Sequence, residues 1–269
     1  MNTKQRETPS IGELRNMYNR IFDGSPPRGQ NRNPRDENHT RMDRALSWLE
    51  RYEQAADGNE HLDERFLFLW ISFNAAYGDD ERMKVAADSG NVDEYQKINN
   101  FLQKIAARDK TYRLADIVSE HGDAFLNIIG NRFLCNSFWK AEYSPRTRKA
   151  WNRNFDYENK DAHEILSDGH LTTTQTKRVL HIAFGRLYTL RNQILHGSAS
   201  WRDNYNRSSI KSGDAILGLF VPEALRIMLD AIKQAPDMPD WGQNAYPPYL
   251  DKPDDTTKGP PPRTRGQEK

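Results

Sequence analysis

Helical spacing of apolar residues runs through most of this 269-residue chain, whereas the alternating pattern of strands is nearly absent. The segment Leu62–Tyr77 is apolar around most of its circumference, which is typical of a central helix. A second long pattern over 172–196 places Val179, Phe184 and Leu190 on one side. Helices of this kind bury their apolar faces against one another, so the sequence predicts an all-α, up-and-down bundle.

The remaining helices follow from the same spacing. A hairpin is predicted over 40–56 and 62–77, and a helix over Ile11–Phe22 precedes it. Further helices are predicted over 92–107, 113–120, 124–138, 161–166, 172–196 and 222–234. Pro222 fits the first turn of the last helix. The segment 143–159 has no clear pattern, and 214–221 is compatible with either helix or strand.

Changes in composition predict three regions. Residues 1–38 form an N-terminal helix followed by a flexible basic loop that is rich in Pro, Gly, Arg and Asn. Residues 39–235 form the helical domain, in which 79–170 is an insert or an extended middle with extra helices. Residues 236–269 are rich in Pro and charged residues, so we expect a disordered tail.

The charge balance and the single cysteine exclude several classes of protein. The formal net charge is +1, so any contact with nucleic acid must come from a local patch. Cys135 is the only cysteine, which excludes an intramolecular disulfide and a cysteine metal cluster, and its apolar neighbours indicate a buried thiol. The first residues lack a signal-peptide core, and no apolar run could span a membrane, so we expect a cytoplasmic protein.

The most specific motif joins Arg191, Asn192 and His196 at the end of a helical pattern. An arginine holds phosphate with a fixed cationic fork, and a histidine exchanges a proton near neutral pH. Asn192 and His196 are four residues apart and share a helix face, and Gly197 is placed to end the helix. A similar spacing from Arg32 to His39 contains Pro34 and predicts a loop, so it receives less weight.

These residue types suit cleavage of a phosphodiester. Arg191 would hold the scissile phosphate, His196 would act as general acid or base, and Asn192 would orient the histidine or bind a phosphate oxygen. If the ribose 2′-hydroxyl is the nucleophile, the reaction needs no metal or other cofactor and excludes DNA. Acid–base cleavage needs two proton-transfer groups, and one motif supplies a single histidine. We therefore expect a two-fold dimer that brings two motifs into one site. Gly185 has no side chain and would let a helix of the second copy come close.

The motif and its setting resemble those of a known family. The R-N-x-x-x-H pattern at Arg191, Asn192 and His196 lies on a late helix, and the early apolar segment 65–78 is similar to the second helix of many HEPN domains. The resemblance to the HEPN superfamily covers roughly 40–235. It implies a dimeric four- or five-helix bundle, with Arg191 and His196 as the catalytic pair at the interface.

Other residues are candidates for contact with RNA or a metal. Arg146, Arg148 and Lys149 form a basic stretch near Trp151, and the pair Trp201 and Arg202 follows the motif. Each of these groups contains an aromatic and a cation that suit RNA, although a solvated basic face or packing of Trp201 on the last helix remains open. The basic loop holds three more candidates, Arg28, Arg32 and Arg35.

Histidines outside the motif have a structural interpretation. His181 lies on the motif helix, where a partly buried structural role is preferred over a place at the cleft. The acidic and histidine residues Asp161, His163, Glu164 and His170 match no standard metal spacing and indicate a solvated segment.

The sequence therefore predicts a metal-independent endoribonuclease whose partners are an RNA substrate and a second copy of the chain. The resemblance also implies a prokaryotic toxin–antitoxin or antiphage defence system, with an antitoxin or defence protein as a further partner. The alternative is a catalytically silent HEPN-like module that binds RNA or protein. A metal-dependent nuclease is a third interpretation.

Overall fold

The computed structural model describes residues 8–22, 34–78, 94–142, 145–202, 204–236, 241, 242 and 244. Within these ranges all regular structure is helical, so the predicted all-α class is confirmed. The α helices are α1 (Ile11–Phe22), α2 (Pro34–Glu53), α3 (Leu62–Tyr77), α4 (Glu94–Arg108), α5 (Arg113–Glu120), α6 (Gly122–Ile129), α7 (Asn136–Glu142), α8 (Pro145–Ser167), α9 (Thr173–Leu195) and α10 (Asn204–Gln234). No helix of this described part is long and apolar enough to cross a bilayer.

Helices α2 and α3 form the predicted antiparallel hairpin. Ser72 Oγ donates to the carbonyl of Ala45 at 2.7 Å, near the middle of both helices. Arg41 Nη1, at the start of α2, donates to the carbonyl of Ala76 at the end of α3 at 3.0 Å. The guanidinium is fully buried, and its charge complements the negative end of the α3 dipole.

Helix α2 begins six residues before the predicted start. Pro34 occupies its first position, where a missing N–H costs nothing, so 34–38 is helical rather than part of a loop. His39, assigned to a loop by the spacing argument, lies in α2, and its Nε2 is 2.8 Å from the Tyr18 hydroxyl. The other residues of the predicted basic loop, including Arg28 and Arg32, lie outside the described residues.

The core is centred on aromatic residues of α3, α9 and α10. The ring centroids of Phe73 and Phe184 are 5.0 Å apart, and those of Phe184 and Phe220 are 4.6 Å apart. Buried residues of α1, α4, α5 and α6 belong to the same continuous core, as do Ala162 and Ile165 of α8. The described helices between 94 and 167 therefore contribute to the core.

The middle helices differ from the prediction in two places. The predicted helix 124–138 is interrupted after Gly130, because the Asn131 side chain accepts from the Phe133 N–H at 3.0 Å and starts a short 3₁₀ turn. Residues 145–159 of the segment without a clear pattern and the predicted helix 161–166 form one long helix, α8. Trp151 and Phe155 of α8 pack in a small buried cluster with Cys135, so the expectation of a buried thiol is confirmed.

Helix α10 is longer than predicted and contains Pro222 in its interior. The proline removes one backbone donor and crowds the carbonyl four residues earlier, which lies at Gly218. Residues on both sides of Pro222, including Phe220 and Leu225, are fully buried. The buried side of α10, which runs from Ser209 to Ile232, outweighs the local penalty, which the sequence pattern alone does not convey. The ambiguous segment 214–221 is helical.

Part of the predicted disordered tail is packed against the core. Trp241 is buried beside Phe101, with ring centroids 6.0 Å apart. The Asn244 amide donates to the backbone carbonyl of Glu37 at 2.7 Å. The prediction of a disordered tail over 236–269 is therefore wrong for Trp241, Gly242 and Asn244. The other residues from 237 onward lie outside the described residues.

Candidate functional site

Helix α9 fixes the position of the motif. The Thr172 hydroxyl accepts from the Gln175 N–H at 3.2 Å, and Gln175 Oε1 accepts from the Thr172 N–H at 2.9 Å, which forms a capping box. The helix ends at Leu195, and the His196 N–H donates to the Asn192 carbonyl at 3.0 Å. Gly197 has φ of 71°, so it ends the helix as the sequence predicts.

Arg191 and Asn192 are directly connected in this last turn. Nη1 of Arg191 donates to Oδ1 of Asn192 at 2.8 Å. The Arg191 side chain is half-buried, and its buried Nε has no hydrogen-bond acceptor within the described residues. No carboxylate of these residues forms an ion pair with it.

This absence of a carboxylate separates Arg191 from its neighbours. Arg186 Nη2, one turn earlier on α9, lies 2.5 Å from Glu158 Oε2, and Arg178 Nε lies 2.7 Å from Asp161 Oδ2. Their charges are neutralised within the chain. Among the described residues Arg191 has no such carboxylate partner, so its guanidinium is able to bind an external anion, such as a phosphate.

An open cavity of about 670 Å³ lies beside the end of α9. Asn192 and His196 are both in its wall, and the His196 side chain is exposed. Arg191 is not a lining residue, so within one chain the guanidinium reaches the cavity wall only through its hydrogen bond to Asn192. The expected convergence of Arg191 and His196 on one pocket is thus incomplete in a single chain.

The electrostatic surroundings of Arg191 extend to the end of α3. The Tyr77 hydroxyl donates to Glu94 Oε1 at 2.9 Å. Burial, and then the charge of Glu94, raise the pKa of Tyr77 far above its ordinary value, while the positive charge of Arg191 opposes this shift. Tyr77 therefore stays protonated, and Arg191 acts electrostatically on this polar cluster while it is hydrogen-bonded to Asn192 of the cavity wall.

The remaining RNA-contact candidates fall into two groups. Trp201 is 64% exposed, and the Arg202 guanidinium lies 4.1 Å from the centroid of its ring, so Trp201 does not pack beneath the last helix. Arg146, Arg148 and Lys149 lie in the first turns of α8, but their side chains fall outside the described residues. Trp151 is buried, so it cannot stack a base as part of that basic stretch.

His181 and Gly185 have structural roles on the opposite flank of α9. His181 Nδ1 is 2.9 Å from Asn99 Oδ1, and its Nε2 is 3.0 Å from the Tyr95 hydroxyl. A Cβ added at Gly185 would lie 3.0 Å from the Tyr95 ring. The helix that Gly185 admits is therefore α4 of the same chain, which corrects the expectation that Gly185 makes room for a second copy.

The sequence argument missed three aromatic residues at the cavity. Phe133, Trp139 and Tyr205 line it and are 52%, 44% and 92% exposed, respectively. Phe133 and Trp139 come from the adjacent 3₁₀ turn and α7, whereas Tyr205 comes from the start of α10, far along the chain. Only Tyr205, a large apolar residue within a polar segment, carried a signal of exposure in the sequence.

No group of three or more His, Cys, Asp or Glu side chains in the described ranges is arranged to hold a metal ion. Asp161, which the sequence placed near His163 and His170, is instead paired with Arg178. The sequence matches no protein-family model, no curated protein and no solved structure. Any assignment of function therefore rests on the residues of the site.

Proposed function

We propose that this protein is a metal-independent endoribonuclease. The observation that carries the proposal is the half-buried cation of Arg191, which has no carboxylate partner among the described residues and is held by Asn192 at the wall of an open cavity. His196 lines the same cavity and is accessible to solvent. A fixed cation and a titratable imidazole next to a solvent-filled space suit acid–base chemistry on an RNA phosphodiester.

The reaction requires two proton transfers and no external reductant or oxidant. The ribose 2′-oxygen attacks the adjacent phosphorus while a base removes the 2′-proton. The bond between phosphorus and the 5′-oxygen breaks, and an acid protonates that oxygen. The products are a 2′,3′-cyclic phosphate and a 5′-hydroxyl end. Arg191 would stabilise the charge that builds on the phosphoryl oxygens, and His196 would carry one of the two protons.

A single chain supplies one His196 for these two transfers, which supports a homodimer with a composite site. The exposed Leu195 and Trp201 beside the motif offer apolar surface for such an interface. The R-N-x-x-x-H motif carries the resemblance to HEPN domains, and on that resemblance we also propose a role in a prokaryotic toxin–antitoxin or antiphage system.

The proposal is tested by incubating the full chain with a single-stranded RNA in EDTA. Wild-type protein should release fragments with a 5′-hydroxyl and a cyclic phosphate, and replacing the 2′-hydroxyl at the cut position by hydrogen should prevent the cut. Arg191→Ala and His196→Ala should each lower the rate constant by at least ~100-fold. Exposed residues of the same types, changed in Arg20→Ala and His170→Ala, serve as matched controls.

Three results would redirect the assignment. RNA binding without cleavage by the wild-type chain would identify the catalytically silent RNA-binding module. Cleavage that needs a divalent cation and leaves 5′-phosphate ends would identify a metal-dependent nuclease. Unchanged cleavage by both motif variants would place the active site elsewhere.

A further inference from the structure

The cavity beside α9 has a lining of unusual chemistry for a protein surface. Its described lining residues comprise four asparagines, one glutamine, three aromatic residues, a histidine, a threonine and a serine. This lining contains no aliphatic and no acidic side chain. Carboxamides present a donor and an acceptor side by side, and aromatic faces stack flat rings, so the combination suits a planar heterocycle with polar edges.

Two of the aromatic residues are held in place. Trp139 Nε1 donates to the Phe133 carbonyl at 2.9 Å, and Gln193 Nε2 donates to the same oxygen at 2.9 Å. Phe138 packs edge-on against both Phe133 and Trp139, with centroids 5.4 and 5.0 Å apart. The exposed faces of Phe133 and Trp139 are thus ordered by backbone bonds and ring packing, which lowers the entropy lost when a ring stacks on them.

Several carboxamides of the lining keep unused hydrogen-bonding capacity. Asn131 is fully engaged, because its oxygen accepts from Phe133 N and its nitrogen donates to Ser209 Oγ at 2.9 Å. Asn136 and Asn206, in contrast, form no side-chain hydrogen bond with any described residue. In Asn192, Oδ1 accepts a hydrogen bond from Arg191, while Nδ2 donates none to any residue that the structure describes. These groups can bind the edge of a ligand.

The position of Arg191 indicates which class of planar ligand the cavity binds. Its guanidinium is hydrogen-bonded to Asn192, a lining residue, so a cation lies next to one wall of the cavity. A ligand with a flat polar ring next to an anion fits this arrangement. We infer that the cavity is a binding subsite for an unpaired nucleobase of single-stranded RNA, whose neighbouring phosphate contacts Arg191. This inference rests on the proposed endoribonuclease function. A base bound in the cavity would determine which phosphate of the RNA lies next to Arg191.

The test uses a single-stranded RNA in which every 2′-hydroxyl is methylated, so that binding is measured without cleavage. A series of these RNAs carries one abasic position, which is moved along the strand. The full-length chain should lose roughly tenfold affinity when one particular base is removed, in keeping with the stacking energy of a base on an aromatic side chain. Tyr205→Ala and Asn206→Ala should lower affinity for the intact RNA and abolish the difference between intact and abasic RNA.

Tyr205→Phe is the matched control, because it keeps the stacking face. Its affinity should stay within about twofold of wild type, since stacking and not the hydroxyl supplies the energy. Tyr205 is almost fully exposed, so its replacement leaves the core unchanged.

The outcomes distinguish the two proposals. An RNA-cleaving protein whose affinity is indifferent to abasic positions and to Tyr205→Ala would overturn the base subsite and leave the nuclease assignment intact. Base-dependent binding without cleavage of ordinary RNA would support the subsite and overturn the nuclease. Loss of self-association, rather than of base-dependent binding, in Tyr205→Ala would identify this surface as an interface between copies and overturn the subsite.

Discussion

The guanidinium of Arg191 donates through Nη1 to Oδ1 of Asn192, its neighbour in sequence, at 2.8 Å. A neutral carboxamide holds the guanidinium without cancelling its charge. Asn192→Asp would place a carboxylate of the same shape against it. We predict that Asn192→Asp leaves the free energy of unfolding nearly unchanged, lowers RNA affinity about tenfold and reduces the salt dependence of binding by about one phosphate contact. Affinity measured over a range of salt concentrations checks this.

Asn154→Asp, at an exposed position of α8, is the control for added negative charge. It should leave the salt dependence at the wild-type slope. An equal effect of the two substitutions would show that general repulsion, and not pairing with Arg191, weakens binding.

The composite site predicts dominant inhibition by an inactive chain. A protein carrying both Arg191→Ala and His196→Ala should form dimers with wild type that lack a complete pair of motifs. With an about ninefold excess of this double variant after subunit exchange, cleavage per wild-type chain should fall about tenfold, as random pairing requires. Activity that stays proportional to the wild-type chain would mean that each chain cuts alone.

The buried environment of His181 makes stability depend on pH. Burial, and then the positive charges of Arg178 and Arg186, lower the pKa of His181 below its ordinary value of 6.5, while Glu158 partly opposes them. The unfolded chain therefore takes up this proton at a higher pH than the folded chain. Its contribution to stability is complete above about pH 6.5 and declines as the pH falls below that value.

Urea unfolding of wild type and His181→Gln between about pH 7.5 and 5.5 isolates this contribution. The wild type should lose more stability than His181→Gln over this range. His170→Gln, at an exposed histidine, should follow the wild-type curve. Parallel curves for all three proteins would exclude His181 as the source.

Gly213 allows α10 to lie against α3 and α9. A Cβ at this position would lie 2.8 Å from Phe66 Cε2 and 3.1 Å from Leu187 Cδ2. Gly213→Ala gains helix propensity but overpacks the core, so we predict a net loss of about 1 kcal/mol in the free energy of unfolding. Gly12→Ala on α1, whose Cβ would meet nothing within 4 Å, should give no loss. A stabilised Gly213→Ala protein would show that the Phe66 ring can move aside.

The ion pair of Arg186 and Glu158 connects α9 to α8. Arg186 is buried, so Glu158→Gln would leave a charge with little solvent, and we predict a loss of about 2 kcal/mol in the free energy of unfolding. The exposed ion pair of Lys160 and Glu164 contributes little to stability, so Glu164→Gln should lower the free energy of unfolding by less than about 0.5 kcal/mol. Thermal or urea unfolding compares the two. Equal losses would mean that α8 is not anchored through Arg186.

The sequence predicts helices well where local signals mark both ends. Leu62–Tyr77 and Arg113–Glu120 have the predicted bounds, and Gly197 ends α9 as expected. Only residues 161–166 of α8 are predicted as helix from the sequence, because the apolar residues of α8 are separated by long polar stretches. In the structure Trp151, Phe155, Ala162 and Ile165 share one buried side. Its continuity depends on packing against α6, α7 and α9, which no local pattern encodes.

The candidate site was predicted only in part for a similar reason. The motif is local, because Arg191, Asn192 and His196 lie within one and a half turns of a helix. The cavity is not local, because Phe133 and Tyr205 are brought together only when the 3₁₀ turn and α10 pack around the end of α9. Tertiary contacts also determine which arginines pair with a carboxylate. The sequence therefore does not show that Arg191 lacks such a partner among the described residues.

The contacts of Asn244 link two segments that are far apart in the sequence. Its backbone N–H and its amide both bind Glu37, 207 residues earlier, and the Gly242 carbonyl accepts from the buried Arg41 at 3.2 Å. During synthesis on the ribosome, the start of α2 emerges long before these partners exist. Glu37 and Arg41 of the nascent polypeptide therefore lack these partners until about 200 further residues have been synthesised, and such long-range contacts form late in folding.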